Sequence, residues 1–185
     1  MQDAVSITTP LNDEILEKLR AGNHVVINGI IYSARDAAHK RLVQSIHKGE
    51  QLPIDLTGQI IYYVGPTPSK PNSVIGAAGP TTSYRMDPYA PLLIEHGLKG
   101  MIGKGARGNG VIAAIKKYKA VYFAAIGGAG ALISKSIKKA EIVAYEDLGT
   151  EAIRKMEVEN FSAVVVNDIF GNDLYREGRQ KYRKK

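Results

Sequence analysis

Short apolar runs alternate with amphipathic segments along most of the chain, and this pattern is typical of an α/β domain. Runs rich in β-branched and aromatic residues predict strands. They cover residues 3–10, 24–32, 60–64, 101–102, 120–126, 141–145 and 163–167. Stripes of apolar residues at helical spacing predict helices over residues 12–22, 37–47, 89–96, 111–118, 131–137 and 150–155.

Gly29 interrupts the predicted strand 24–32. A glycine inside a strand is typical of a bulge or of a close approach between two backbones. We therefore expect the strand to be irregular at this position.

The stretch Gly79–Asp87 reads Gly-Pro-Thr-Thr-Ser-Tyr-Arg-Met-Asp, and a predicted helix begins near Asp87–Pro88. The first-turn amides of a helix lack helical partners, and the helix dipole is positive at that end. Arginine adds a planar fork that matches a carboxylate or a phosphate. The stretch therefore predicts an anion site but does not define a reaction.

Two further glycine-rich loops follow predicted strands, at residues 103–110 and 127–130. The first carries Lys104, but Ala106 lies two residues beyond that lysine, so the loop does not have the serine or threonine of a P-loop. Glycines allow a backbone to approach a ligand closely, and they also form plain tight turns. Both interpretations stay open at this point, and the three loops could converge on one face.

Arg35 and Asp36 lie where the predicted strand 24–32 gives way to a helix. Such junctions often bind ligands in α/β proteins. The alternative is that Asp36 only caps the helix while Arg35 is solvated.

The composition indicates one globular domain. The chain has 185 residues, of which 44% are hydrophobic and 23% are charged, and this is enough to bury a core. It has neither an apolar run of bilayer length nor a secretory leader pattern, so we predict a cytoplasmic protein without membrane contact.

The chain has no cysteine. This excludes disulfides, thiolate nucleophiles, zinc ribbons and an iron–sulfur cluster held by the chain itself. The four histidines have no ligand-like spacing with carboxylates, so we predict no metal site.

The net charge of +7 is concentrated at the C-terminus. Residues 176–185 contribute +5 and the rest of the chain contributes +2. We therefore divide the chain into a domain of residues 1–175 and a basic tail of residues 176–185. Basic tails are usually solvated, although this one could touch RNA or an acidic partner. Nucleic-acid binding is disfavoured because basic and aromatic residues do not interleave as in RNA-binding sheets.

Several sequence blocks together resemble the β subunit of class I fumarate hydratases, and L-tartrate dehydratase β subunits share the same plan. The blocks occur in the family's order between about residues 5 and 175. They are Ala34–Arg41, Gly79–Asp87, Met101–Arg107, Ile126–Gly128, Glu151–Phe161 and Gly171–Asp173.

The resemblance implies a swivelling β/β/α domain that works with a separate fumarase α subunit, in an α2β2 assembly. It implies a [4Fe-4S] cluster held by the cysteines of that α subunit, with no cofactor bound by this chain alone. The implied reaction is the reversible hydration of fumarate to malate, and the alternative is the dehydration of tartrate to oxaloacetate.

By similarity, Thr81 falls on the family's catalytic threonine, the base that takes a proton from the substrate. Arg35, Arg85 and Lys104 fall on residues that hold the carboxylates of the dicarboxylate substrate and orient the threonine. A dicarboxylate needs cations at both ends, and proton abstraction beside a carboxylate needs a placed base and charge stabilisation. Threonine is a weak base, so positive charge must activate it, and Arg85 is the candidate.

Other polar residues are expected to support these groups. Asp36, His39 and Asp87 are expected to cap helices or to cross-link loops. Thr82 and Arg107 are expected to position the residues that touch the substrate. Tyr84 departs from the family's pattern of a small residue, and this leaves fumarate, tartrate and a methylated dicarboxylate open as substrates.

Overall fold

The computed structural model describes residues 4–69, 71 and 73–183. Within these residues the strands are β1 (Val5–Thr8), β2 (His24–Ser33), β3 (Ile60–Tyr62), β4 (Gly100–Gly103), β5 (Val121–Ala124), β6 (Ile137–Ala144) and β7 (Ile153–Asn167). The α-helices are α1 (Asp13–Lys18), α2 (Asp36–Lys48), α3 (Ala90–Glu95), α4 (Asn109–Tyr118), α5 (Gly130–Ile133) and α6 (Leu174–Tyr182). Short 3₁₀ helices cover Ser83–Met86, Ser134–Ser136 and Glu146–Glu151.

The strands form a seven-stranded sheet in the order β1-β2-β3-β4-β5-β7-β6, and β2 also pairs with β7. This second pairing closes β2, β3, β4, β5 and β7 into a mixed five-stranded barrel. The strands β2 to β5 are parallel, and β7 runs antiparallel to both β2 and β5. The predicted α/β class of a single domain is confirmed.

Gly29 lies at a bulge in β2, where the register with β7 shifts between Ile27 and Gly29. Its φ is +103°, and a Cβ at this position would lie 2.6 Å from the Oγ1 of Thr9. The backbone amide of Thr9 in turn donates to the carbonyl of Asn28. Only glycine fits both the positive φ and this close approach, so the irregularity expected from the sequence is confirmed.

The core has two parts because successive residues of a strand point to opposite faces. In β3, Ile60 and Tyr62 contribute to one buried cluster, whereas Ile61 contributes to the other, which packs under α2, α3 and α4. The ring of Tyr62 meets that of Phe161 edge-on, with centroids 5.2 Å apart. The barrel is therefore filled with side chains.

The short helix predicted over residues 150–155 is wrong. The chain forms a 3₁₀ helix up to Glu151, and Ile153 already begins the 15-residue strand β7. Consequently the strand predicted over 163–167 is only the last part of β7. Pairing with β2, β5 and β6 supplies hydrogen bonds along this strand, and these distant partners override the local helical pattern.

The region after β5 also differs from expectation. The helix predicted over 131–137 is limited to α5 and the 3₁₀ turn Ser134–Ser136, because Ile137 enters β6. Near the C-terminus, the side chain of Asp173 caps α6, so Arg176, Arg179 and Lys181 lie on a helix. The division of the chain at residue 175 stays a prediction. Among the described residues, no helix is long and apolar enough to cross a membrane.

Replacing Gly29 by alanine should lower the free energy of unfolding by about 1–3 kcal/mol, because the new Cβ meets Thr9 and the positive φ is strained. The matched control is Gly110→Ala in α4, where a Cβ would find no atom within 4 Å. That change should raise the free energy of unfolding by about 0.5–1 kcal/mol. Urea unfolding followed by circular dichroism measures the free energy of unfolding of both variants. Equal effects of the two substitutions would contradict the conclusion that only glycine fits at position 29.

Candidate functional site

Thr81 lies beside the carboxyl ends of β3 and β4. Its amide and its Oγ1 both donate to the carbonyl of Tyr63, at 2.8 and 2.9 Å. Its own carbonyl accepts the amide of Lys104 at 3.2 Å, and the amide of Ser83 donates to the carbonyl of Lys104 at 2.9 Å. Thr82 lies between these bonds as a parallel bridge partner of Lys104. The backbones of Thr81 and Lys104 are therefore held side by side.

The side chain of Asp36 connects the two arginines that were predicted to hold substrate. Its Oδ2 lies 2.8 Å from Nη2 of Arg85 and 3.8 Å from Nη2 of Arg35. Arg35 follows β2, Asp36 begins α2, and Arg85 lies in the 3₁₀ turn Ser83–Met86. Arg85 is exposed, whereas Arg35 and Asp36 are half-buried. The structure thus brings together side chains from distant segments of the chain around one carboxylate.

Glu151 is a functional candidate that the sequence reasoning missed. Its Oε1 lies 3.3 Å from Nη2 of Arg35, and its Oε2 accepts the amide of Ala37 in the first turn of α2. Gly65 also lies against this guanidinium, because a Cβ there would lie 2.6 Å from Nη1 of Arg35. Glu151 therefore fixes both the guanidinium and the start of the helix. No spacing in the sequence connects Glu151 with Arg35, although Glu151 opens one of the family-like blocks.

Arg107 and Asp87 form a buried link between two of the glycine-rich loops. Nε of Arg107 donates to Oδ1 of Asp87 at 2.7 Å, and the amide of Gly108 donates to Oδ2 at 2.6 Å. The guanidinium lies between the rings of Tyr63 and Tyr122, 5.3 and 5.1 Å from their centroids. Because the side chain of Arg107 is enclosed, it can support the loops but cannot reach a ligand at the surface.

His39 is fully buried behind Arg35. Its Nδ1 donates to the carbonyl of Arg35 at 2.9 Å, and its ring meets that of Tyr63 edge-on at 5.3 Å. Burial lowers the pKa of His39 to about 4, since the charged imidazolium would lose its hydration. His39 is therefore a neutral group that packs α2 onto Tyr63, the residue after β3.

The loop after β5 completes this end of the barrel. The carbonyl of Gly130 accepts the amide of Ala78, and a Cβ on Gly130 would lie 2.9 Å from the amide nitrogen of Gly79. A Cβ on Gly127 would lie 3.7 Å from Cδ of the exposed Lys104. The three glycine-bearing loops therefore lie next to one another.

The structure does not form the anion site expected at a helix start near Asp87–Pro88. The helix α3 begins only at Ala90 and has six residues. The amides of Asp87 and Tyr89 are already bonded to the carbonyls of Tyr84 and Met86. The amides expected to bind an anion are thus engaged, and the site's positive charge comes from side chains.

Among the charged side chains at this end of the barrel the positive ones outnumber the negative ones, and Arg85 and Lys104 are exposed. Arg35, Arg85 and Lys104 bring three cations, whereas Asp36 and Glu151 bring two carboxylates. Guanidinium groups fixed by carboxylates can bind the carboxylates of a ligand bidentately. The donor set does not suit a metal or an iron–sulfur cluster: the chain has no cysteine, and the described residues contain no group of three histidine or acidic side chains that could hold an ion.

Comparison with known proteins finds one matching family model and several relatives. The family model described as "Fumarase C-terminus" matches residues 1–178. A putative class I fumarate hydratase of Geobacillus stearothermophilus is 38% identical over 178 residues, which is 94% of this chain and 34% of that protein. Fumarate hydratase 2 of Leishmania major is 40% identical over 162 residues, which is 86% of this chain and 28% of that protein.

A further relative has nearly the same length as this chain. The putative L(+)-tartrate dehydratase subunit beta of Methanocaldococcus jannaschii is 36% identical over 181 residues, which is 95% of this chain and 93% of that protein. The chain therefore spans about a third of the fumarate hydratases that it matches and almost all of this subunit.

The buried His39 should make the stability of the fold dependent on pH. The unfolded chain binds a proton on this imidazole near pH 6.5, whereas the folded protein binds it only near pH 4. The stabilisation that comes from the neutral imidazole is therefore fully present above pH 6.5 and is lost as the pH falls toward 4, by about 3 kcal/mol.

Urea unfolding of wild type and of His39→Leu across this range measures the effect, which should be absent from the variant. The control is His47→Leu, an exposed histidine on the same helix, which should keep the wild-type pH dependence. Parallel pH profiles for wild type and His39→Leu would show that the assignment is wrong.

Proposed function

The chain belongs to the family of fumarase C-terminal domains, and we propose that it is the β subunit of a two-subunit hydro-lyase that reversibly hydrates fumarate to malate. The family resemblance inferred from the sequence blocks is confirmed by the comparisons. The observation that carries the proposal is the arrangement at the carboxyl ends of β2, β3 and β4. There the backbone of Thr81 is hydrogen-bonded to that of Lys104, and Arg35 and Arg85 share the carboxylate of Asp36.

Arg35, Arg85 and Lys104 would bind the carboxylates of the substrate. Arg35 is held between Asp36 and Glu151, so its position is fixed before the ligand arrives. Because this guanidinium is already in place, it need not move when a negative charge develops on the substrate, and little free energy is spent on reorganisation. Arg85 is more exposed and can turn toward the ligand.

Thr81 would transfer the proton at the carbon beside a carboxylate. In the hydration direction, Oγ1 would give its proton to that carbon, and in the dehydration direction the alkoxide would take it back. In the structure the hydroxyl proton is directed at the carbonyl of Tyr63, which fixes the orientation of the side chain. Positive charge on Arg85 and Lys104 would stabilise the alkoxide.

The rest of the enzyme would come from a partner. We propose a fumarase α subunit that holds a [4Fe-4S] cluster with its own cysteines, an α2β2 assembly, a swivelling arrangement of this β/β/α domain and a cytoplasmic location. The absence of cysteine from this chain supports the proposal that the partner holds the cluster, since this chain has no thiolate ligand for it.

Tartrate dehydration to oxaloacetate is the second candidate. It is favoured by the relative named L(+)-tartrate dehydratase subunit beta, which this chain covers over 93% of its length. The same cations would bind tartrate, because it is also a dicarboxylate.

Assembly with the cluster-bearing partner under anaerobic conditions tests the proposed activity. The isolated chain should be colourless and inactive, and the assembled enzyme should hydrate fumarate, as followed by the loss of its ultraviolet absorbance. Hydration activity in the isolated chain would contradict the two-subunit proposal. Turnover of tartrate in preference to fumarate would select the second candidate.

Thr81→Ala should lower kcat of the assembled enzyme by roughly 10²-fold or more, with a small change in KM, because the proton-transfer group is lost. Thr81→Ser should retain most of the activity, since it keeps the hydroxyl. Thr8→Ala removes an exposed hydroxyl on β1 and should leave kcat unchanged. Steady-state kinetics measures all three, and wild-type turnover in Thr81→Ala would remove Thr81 from this role.

A further inference from the structure

Two large apolar side chains are exposed beside the candidate site. Ile126 follows β5 and is 72% exposed, and Leu132 on α5 is 67% exposed. Single exposed apolar residues are ordinary in proteins, whereas neighbouring ones around a concave surface mark interaction sites.

These side chains border a groove of about 420 Å³. We call it the α5 groove, and its apolar wall consists of Ile126, Ala129, Leu132, Ile133 and Phe161. Phe161 is buried and Ile133 packs on the core, so the floor of the groove is part of the folded domain. A partner side chain that enters the groove would therefore meet a preformed apolar surface.

The rim of the α5 groove is positively charged. Lys135 and Lys138 line it together with one carboxylate, that of Glu159, which lies 3.9 Å from Nζ of Lys138. The exposed Lys104 adjoins the same loop through Gly127. This distribution favours a partner surface that combines apolar side chains with acidic ones.

The α5 groove is also joined to the candidate site by backbone contacts. The carbonyl of Gly130 in α5 accepts a hydrogen bond from the amide of Ala78, and Gly130 packs against Gly79, two residues before Thr81. A polypeptide seated in the groove would therefore lie next to the loop that carries Thr81.

We infer that the α5 groove is the docking surface for the cluster-bearing partner subunit, which inserts apolar side chains between Ile126 and Leu132 and directs acidic groups at Lys135. This inference rests on the proposed function. The choice of occupant follows from length: the aligned part is only 34% of the Geobacillus protein, so in that protein the remaining two thirds belong to the same chain as the counterpart of this domain. In the tartrate dehydratase relative, the matching chain is itself named a subunit.

The binding test uses the purified partner subunit and compares Ile126→Asp and Leu132→Asp with wild type in sedimentation-velocity titrations. Each change should weaken association by about tenfold or more, because a carboxylate would be buried in an apolar contact. The control is Tyr182→Asp on α6, where the residue is 76% exposed, and it should bind as wild type does. Circular dichroism should show unchanged folding in all three variants, since the replaced side chains are exposed.

A photo-crosslinking amino acid at position 132 gives a second readout in the assembled complex. It should crosslink to the partner subunit, whereas the same group at position 182 should not. A crosslink to a second copy of this chain, or no crosslink from position 132, would overturn the inference.

The two proposals fail in different ways. Wild-type affinity in both Ile126→Asp and Leu132→Asp, together with normal activity of the assembled enzyme, would overturn the docking surface alone. Failure of the wild-type chain to bind the partner would overturn both proposals. Normal binding with no dehydratase activity would leave the docking surface supported and would contradict the proposed reaction.

Discussion

The antiparallel pairing of β7 with both β2 and β5 is the constraint on which the rest of the structure depends. Without β7, the parallel strands β2 to β5 would form an open sheet with two unpaired edges. The carboxyl ends of β2, β3, β4 and β5 share one edge because these strands are parallel, and closure fixes the tilt of the strands and turns that edge into one end of the barrel. The candidate polar side chains lie in the segments that follow these ends, so the barrel brings them to one end of the domain.

The carboxylate partners of the two arginines determine how firmly each guanidinium is held in the site. Two guanidinium groups placed close together repel each other, and Asp36 offsets this repulsion by pairing with both. Glu151 adds a second carboxylate on Arg35 and connects it to the chain segment that leads into β7. Arg35 is thereby fixed by two partners, whereas Arg85 keeps one partner and greater exposure. The site combines a fixed cation with an adjustable one.

Local sequence patterns predict those parts of the molecule that depend on local interactions. The strands β1 and β2, the helices α1, α2 and α4 and the bulge at Gly29 follow from periodicity, capping and glycine chemistry. The start of β7 was mistaken for a helix because its pairing partners are far away in the sequence. Glu151 was missed for the same reason, since its contact with Arg35 arises only when the barrel closes. The family resemblance identified Thr81, Arg35, Arg85 and Lys104 as candidates, and their roles stay predictions.

The open end of the barrel connects the two proposals physically. Two unit charges about 4 Å apart interact by about 1 kcal/mol in water but by about 4 kcal/mol at the effective dielectric constant of a partly buried site. Covering Arg85 and Lys104 with a partner would therefore strengthen their attraction for a dicarboxylate several-fold. The same contact would remove Ile126 and Leu132 from water, and this burial favours association. In the two proposals, docking and charge stabilisation use neighbouring surfaces. Together they predict that the chain binds a dicarboxylate tightly only when the partner is in place.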